Sequence, residues 1–379
     1  MWRSLAFLLL FVVIGIPAQA KHITVKQLDQ GLADAEGKSD QELARWLYSL
    51  DLSERLSSQS LQHWKDAMPG EQSRKALTAL ADASAFVNLP PNGIPKTAPL
   101  DRNAQEQLLS LAADYIEKTL SKLPNFFATE EIITFEDTPA SQDGSFFTSY
   151  EPLHYAGIMR ATVHYRGGKE VMEGRGGEEV IEKDQTISPA SGLLSSGEFG
   201  PVLKNTLSDA KSGKLTWGYW EKGANSEIAV FRYSVSRSRS HYKVKVLVPG
   251  HSYPFQARPG YHGEIAIDPV SGTILRITLR ADLTDDDPMT RADLMVEYGP
   301  VVIGGRTYIC PTKSVALATA YQEATRAGAS LSGDRHFDPG RRGPQQTALN
   351  DVTFDHYQVL RSEARILTGA DMNDEPDEP

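Results

Sequence analysis

Few residues in this 379-residue chain combine the type and the spacing that chemistry needs. A serine stands beside a histidine in Gly250-His-Ser-Tyr-Pro254, as a serine nucleophile would require. The segment lacks the second glycine and the strand-turn-helix setting of a nucleophile elbow, so it reads as a proline-bounded loop. Asp285-Asp-Asp287 before Pro288 offers clustered oxygens to a hard cation. The glycine and closing glutamate of a calcium loop are missing, and a solvated turn is the simpler reading. No His-Glu-x-x-His pair occurs, and one cysteine, Cys310, cannot build a thiolate zinc site. Cys310 lies in the apolar run Thr307-Tyr-Ile-Cys-Pro311, which suits a buried, inert thiol. His154, His164, His241 and His262 fall in strand-like segments that a sheet could bring together, but each also fits an ordinary half-buried position. Gly174-Arg-Gly-Gly177 and Gly197-Glu-Phe-Gly200 match no phosphate-cradling loop. A carboxylate pair for glycoside hydrolysis could hide among 49 acidic residues, because tertiary structure sets its separation. These residues give no catalytic group, no metal ligand and no cofactor, and they favour a protein that is not an enzyme.

Aromatic spacing is more informative. Trp217, Tyr219 and Trp220 fall within four residues of one strand-like run, and Phe231 and Tyr233 recur on the next. Strict alternation puts Trp217 and Tyr219 on one face and Trp220 on the other. Facing Phe231 and Tyr233 across an antiparallel pair, they would make cross-strand aromatic contacts. Core packing explains them. So does an aromatic-lined groove for an amphiphile or glycan, and Trp217, Tyr219, Phe231 and Tyr233 are the candidate ligand-binding residues.

The elements that must position these residues change character along the chain. Residues 22 to about 122 read as helices. Thr24-Val-Lys-Gln27 and Ser39-Asp-Gln-Glu42 are capping boxes. Val25, Leu28, Leu32 and Ala35, then Leu43, Trp46, Leu47 and Leu50, follow helical spacing. A third helix starts near Ser58, Pro69 opens a fourth, and a fifth runs from about Asp101 to Ser121. Trp46 and Trp64 read as packing residues. Four prolines within Leu89–Pro99 forbid helix between the last two. From Leu123-Pro-Asn-Phe-Phe127 onward strand patterns dominate. In Ile274–Asp282, Ile274, Arg276, Thr278 and Arg280 share a wet face while Leu275, Ile277, Leu279 and Ala281 share a buried one. Asp268-Pro-Val-Ser-Gly272 and Gly304-Gly305 are turn chemistry. One helix, from about Glu198 to Ala210, interrupts the strands.

The fold class is therefore α+β: an N-terminal helical-hairpin domain (21–122), then a curved, half-barrel-like antiparallel β-sheet domain (123–367) with an inserted helix. Thr325–Gln346 reads as a long polar loop, and residues 368–379 as a disordered acidic tail.

Charge and the N-terminus bound the setting. A formal net charge of −10 opposes binding to nucleic acid. Met1-Trp-Arg3, the apolar run Leu5–Ile16, Pro17 and Ala18-Gln-Ala20 form a secretory signal peptide pattern. It implies export by the general secretory route to a periplasmic or extracellular space, with the mature chain starting at Lys21. No later apolar stretch is long enough to span a bilayer.

Certain segments carry a resemblance. Gly263-Glu-Ile-Ala-Ile-Asp268, Gly272-Thr-Ile-Leu-Arg-Ile277, Val296-Glu-Tyr-Gly-Pro300, Ile303-Gly-Gly-Arg-Thr-Tyr308, Leu123-Pro-Asn-Phe-Phe-Ala128 and Asp51-Leu-Ser-Glu-Arg-Leu-Ser57 together resemble a group of secreted acidobacterial proteins without assigned function. The C-terminal half more loosely resembles the periplasmic lipoprotein-carrier (LolA-like) fold. That resemblance implies a curved sheet closing over helices around an apolar cavity for acyl chains, with no specific contact residues. The expectation is a secreted, non-enzymatic protein that binds an apolar or amphiphilic ligand, a lipid for instance, on the concave face of its β domain. The alternatives are an interaction module that uses the helical domain to bind an envelope protein, and a hydrolase of envelope polymers.

Overall fold

The first helices begin where the sequence caps them. In the computed structural model, Gln27 N donates to Thr24 Oγ1 at 3.2 Å and Thr24 N donates to Gln27 Oε1 at 2.9 Å, which starts α1 (Val25–Asp34). Ser39 and Glu42 repeat the exchange at the head of α2 (Asp40–Tyr48). These reciprocal bonds occupy donors that a first turn leaves open. Asp40 serves a second helix as well. Its carboxylate accepts from the amides of Gln72 and Ser73 at 3.1 and 2.8 Å and so caps α4 (Glu71–Ala83). A side chain at Gly70 would strike that carboxylate, since its Cβ would lie 2.3 Å from Asp40 Oδ2. Helix α4 therefore opens at Glu71, two residues after Pro69. Helix α3 is Ser58–Ala67.

The helical reading of residues 22–122 needs one correction. Lys21–Ile23 (β1) and Leu50–Leu52 (β2) form a two-stranded parallel pair. The segments flanking α1 and α2 thereby meet side by side, a long-range pairing that local helical spacing cannot signal. Leu28, Leu47, Leu77 and Leu80 fill the core of this unit, with Trp46 and Trp64 packed against it.

The structure describes residues 20–120, 122–143, 146–172, 192–193, 197–247, 254–323 and 342–360. The signal pattern (save Ala20), Gly174-Arg-Gly-Gly177, His251-Ser252, most of the 325–346 loop and the acidic tail lie outside the described residues. Helix α5 (Arg102–Leu120) leads into the strands: β3 (Phe126–Thr138), β4 (Ser141–Asp143), β5 (Phe146–Thr148), β6 (Glu151–Arg166), β7 (Lys169–Met172) and β8 (Gly192–Leu193). After α6 (Pro201–Ser212) come β9 (Lys214–Lys222), β10 (Glu227–Val235), β11 (Val244–Leu247), β12 (Phe255–Ala257), β13 (Gly260–Ile267), β14 (Ile274–Asp282), β15 (Met289–Ile303), β16 (Arg306–Glu323) and β17 (Arg342–Val359). Ten of them make one open antiparallel sheet in the order β7-β6-β3-β17-β16-β15-β14-β13-β10-β9. Strands β12, β11 and β8 form a small second sheet.

Gly304 and Gly305 join β15 to β16 with φ of 60° and 78°, the left-handed pair that a two-residue hairpin turn demands. Strand β17 already begins at Arg342, so residues 342–346 are strand and not loop. Gln345 and Gln346 are polar, yet they pair with Tyr321 and Ala320 of β16, and the ladder satisfies their backbone whatever their side chains.

Helices cover both faces of the sheet. We call the face under α5 and α6 inner. Leu108, Ala112 and Ile116 of α5 and Leu203, Leu207 and Ala210 of α6 pack there on Phe231, Ile265, Ile277, Leu294, Val296, Ala316 and Ala318. The fifth helix thus shares its core with the sheet and not with α1–α4. The outer face meets α4 and the turn after it, where Ala79, Ala85 and Phe86 pack on Phe135, Met295, Val315, Leu317 and Leu349. This corrects the wet face expected for β14 at Arg276 and Thr278, while Arg280 stays exposed. Arg276 keeps 12% of its side-chain exposure and Thr278 is 5% exposed, because the N-terminal unit roofs them. Ile274 also changes sides. Ile267 faces Ile274 while Ala266 faces Arg276, so Leu275 is the extra residue of a bulge and Ile274 joins Ile277 on the inner face.

Candidate functional site

Strands β9, β10 and β13 bring three of the four aromatic candidates to the inner face. Trp217 packs edge-on against Phe231, with ring centroids 5.5 Å apart, and against Trp220 at 5.1 Å. Tyr233 meets Tyr261 at 5.6 Å, and Tyr261 meets Tyr242 at 5.4 Å. Phe231 and Tyr233 are 1% and 3% exposed, so they form the floor of the core. Trp217 is half-buried at its margin.

Tyr219 does not join them. Its hydroxyl donates to Glu264 Oε2 at 2.8 Å and its ring lies 5.3 Å from the Arg232 guanidinium, on the outer side. Strict alternation fails because Trp217 faces Phe231 whereas Tyr219 faces Val230. Gly218 is the extra residue, and a Cβ there would lie 2.8 Å from Val230 O. One bulge therefore places Trp217 and Trp220 together and turns Tyr219 away.

Helix α6 is tied to this floor by a buried carboxylate. Asp209, 2% exposed, accepts from Tyr261 Oη at 2.8 Å and from His241 N at 2.7 Å, with His241 Nδ1 at 2.6 Å. Each of these contacts comes from a potential donor, as a buried polar group requires. Helix α5 has a different attachment. The proline-rich segment before it lies along the sheet edge, where Trp220 Nε1 donates to Ala98 O at 2.8 Å and Thr97 Oγ1 to Glu227 Oε1 at 2.7 Å.

Further along the inner face three glutamates approach one another. Glu130 sits on β3 in the inward series Phe126, Ala128, Glu130, and is 5% exposed with no hydrogen-bond partner for Oε2. Burial pushes its carboxyl up to about 8, helped by Glu198 and Glu170. Burial and Glu198 also push Glu170 up to about 7, against the amides of Gly197 and Phe199 that it accepts from. Phe126, Tyr165 and Phe199 stack over this end of the face. An inward-facing glutamate between apolar neighbours was visible in the sequence of β3, and that was the one signal for the group.

The remaining candidates have separate partners. His262 Nδ1 lies 2.7 Å from Asp282 Oδ1, His154 Nδ1 lies 2.9 Å from Pro152 O, and His164 stands over Phe127. Among the described residues no three His, Cys, Asp or Glu side chains are placed to hold a metal ion. Asp287 accepts from Thr284 N and Oγ1 at 2.7 and 2.9 Å, which closes the turn of the acidic run. Cys310 is buried, and burial pushes its thiol up to about 12, the wrong direction for a nucleophile. No helix among the described residues is long and apolar enough to cross a membrane.

No protein-family model matches this sequence, and no curated protein matches it. Among solved structures, a LolA superfamily protein from Nitrosomonas europaea is similar over 68% of this chain and 93% of its own, with 9% sequence identity and a TM-score of 0.28. Likeness at that level is too slight to carry a function from one chain to the other.

Proposed function

We propose that this protein is a non-enzymatic carrier or receptor that takes an apolar or amphiphilic ligand onto the inner face of its sheet, with α5 as the element that moves aside. One observation carries the reading. The inner face is a broad apolar surface covered by α5, α6 and the small β12-β11-β8 sheet, whose Leu193, Val244 and Val246 share its core, and of these covers α5 alone is joined to the rest through an edge segment. Helix α5 enters over a proline-bearing segment secured at the edge by the bonds from Trp220 and Thr97. Displacing α5 would open a surface floored by Phe231, Ile265, Ile277 and Leu294 and rimmed by Trp217. Acyl chains gain about 0.8 kcal/mol per buried CH₂, which offsets the contacts α5 gives up. The signal pattern of residues 1–20 supports an envelope or extracellular setting for this activity. The burial of Glu130 and Glu198, 5% and 2% exposed, argues against polymer hydrolysis, since a polymer could not reach their carboxyls.

The test is a titration of residues 21–379 with a dansylated undecanoic acid, followed by displacement with palmitate and by tryptophan emission in the wild type and in Trp217→Phe, which separates the inner-face signal from that of Trp46 and Trp64. Saturable, displaceable binding with a change in tryptophan emission supports the reading. Binding that is not saturable, or that leaves tryptophan emission unchanged, overturns it.

A further inference from the structure

The outer face carries a feature of opposite character. Between the Phe86–Asn88 turn and the strands below it lies a cleft of about 800 Å³, within the range of about 300–1,000 Å³ usual for small-molecule sites. Its floor is set by sheet register: His262 faces Arg280, Arg280 faces Asp293, and Arg291 faces Thr319. Two guanidiniums converge on one buried carboxylate oxygen, with Arg291 Nε at 2.6 Å and Arg280 Nε at 3.7 Å from Asp293 Oδ2. Asp293 keeps 4% of its side-chain exposure, whereas Arg280 and Arg291 keep 44% and 33%.

The donor count does not balance. Each guanidinium carries five N–H groups, and a single carboxylate cannot occupy them. Phe86 O takes one contact from Arg280 Nη1 at 3.5 Å, and the Phe86 ring lies 5.5 Å under Arg291. The remaining donors belong to one exposed and one half-buried fork that line the cleft. Among the described lining residues Asp293 is the one carboxylate against two guanidiniums, while Asp282 and Asp137 bond the lining residues His262 and Thr347, so the guanidinium pair gives the cleft a cationic floor in a chain of net charge −10. Hydroxyl and amide groups of Ser53, Asn88, Thr290, Thr319 and Gln345 make much of the rest of its wall, with His262, Val87 and Ala281 beside them.

We propose that this cleft is a second binding site, on the face of the sheet opposite the apolar one, for a hydroxyl-rich small anion of one or two sugar rings. The guanidinium forks recognise a carboxylate or phosphate by paired N–H donors. The threonine, serine and amide groups take the ring hydroxyls, and Phe86 stiffens Arg291 by cation–π contact.

Isothermal titration and ligand-observed NMR of residues 21–379 with D-galacturonate, D-glucose 6-phosphate, inorganic phosphate and neutral D-galactose test the site. Saturable binding of at least one sugar anion is expected, with galactose weaker by about tenfold or more. Preference between the first two compounds separates carboxylate from phosphate. Arg280→Gln removes the more exposed fork, and Asn88→Trp fills the cleft from its rim without touching a charge. Each should weaken sugar-anion binding about tenfold with an unchanged melting temperature. Absence of saturable binding for both sugar anions overturns the proposal. So does binding that survives both substitutions, or inorganic phosphate binding as tightly as the sugars. None of these outcomes bears on the apolar inner face, whose acyl probe is separate.

Discussion

Arg55 and Glu221 lie 166 positions apart in the chain, and Arg55 Nη2 donates to Glu221 Oε2 at 2.6 Å. Arg276 holds the same carboxylate from the other side, at 3.0 and 2.5 Å. Arg55 comes from the N-terminal unit, Glu221 from β9 and Arg276 from β14, so a single carboxylate fastens helices to sheet. A second fastening of the same kind lies across the sheet, where Lys313 of β16 bonds Asp82 of α4 at 2.7 Å and Asp351 of β17 at 3.1 Å. Charges at such a seam contribute specificity more than stability, because desolvation consumes much of the attraction.

Removing Glu221 should therefore be costly in a particular way. Glu221→Ala leaves two guanidiniums buried without their shared carboxylate, and the expected loss is about 3–5 kcal/mol, read by urea denaturation. Burial raises the Glu221 carboxyl, but Arg276 and Arg55 more than reverse it and hold it below its ordinary value. A carboxyl depressed by folding stabilises above its unfolded pKa, about 4.3, and that contribution disappears as pH falls through the lower folded value. The wild-type protein should lose stability below about pH 4 more steeply than Glu221→Ala does. Equal acid sensitivity in the two proteins would sink this account.

How much of this was legible in the sequence depends on distance along the chain. The capping residues Thr24, Gln27, Ser39 and Glu42 act within three positions of one another, and the structure keeps all four in those roles. Turn glycines Gly272, Gly304 and Gly305 likewise sit at positive φ. The faces of Tyr219 and Ile274 were misread because one inserted residue, Gly218 or Leu275, inverts everything on one side of it. Nothing in strict alternation marks where such a bulge falls. The Arg55–Glu221 fastening and the cleft at Arg280 and Arg291 join residues from distant segments, so no local pattern could announce them. Glu130 was the intermediate case, since its neighbours Phe126 and Ala128 already mark its side of β3 as inward.

Glu130 should impose a pH dependence of opposite sign. Burial, with Glu198 and Glu170 nearby, holds its carboxyl at about 8, so the folded protein keeps a proton that the unfolded chain releases near pH 4.3. Between about pH 5 and 8 the folded state binds more protons, and stability falls as pH rises, by about 1.4 kcal/mol per pH unit at most from Glu130 alone. Glu130→Gln is neutral throughout and should remove this share of the slope, leaving the parts due to Glu170 and Asp82, whose carboxyls burial also pushes up to about 7. Melting temperatures at pH 5.5 and 8.0 decide it: a wild-type protein equally stable at both would contradict the burial of this group.

Gly263 should tolerate no side chain. Its Cβ would stand 1.8 Å from Thr278 O, the carbonyl to which Tyr233 Oη donates at 2.7 Å. Tyr233 faces Gly263 across β10 and β13, so its ring spans the glycine to reach β14. Gly263→Ala must push these strands apart and should cost about 1–3 kcal/mol. Tyr233→Phe keeps the ring and removes the hydroxyl alone, and should cost about 1 kcal/mol. Denaturation midpoints for both variants provide the check, and a milder effect for the glycine than for the tyrosine would refute the packing argument.

Trp220 offers the sharpest test of how the inner face opens. Its indole N–H holds Ala98 O at 2.8 Å, on the segment that leads into α5. If α5 must move before an amphiphile enters, the free protein is mostly closed and its apparent affinity is reduced by the fraction open. Trp220→Phe retains an aromatic ring against Trp217 but deletes the donor, which removes about 1 kcal/mol from the closed state. Affinity for the dansylated acyl probe should then rise about fivefold, while stability without ligand falls by a similar free energy. A ligand that simply packed on an already open surface would gain nothing from this change, and it would bind the variant no more tightly than the wild type.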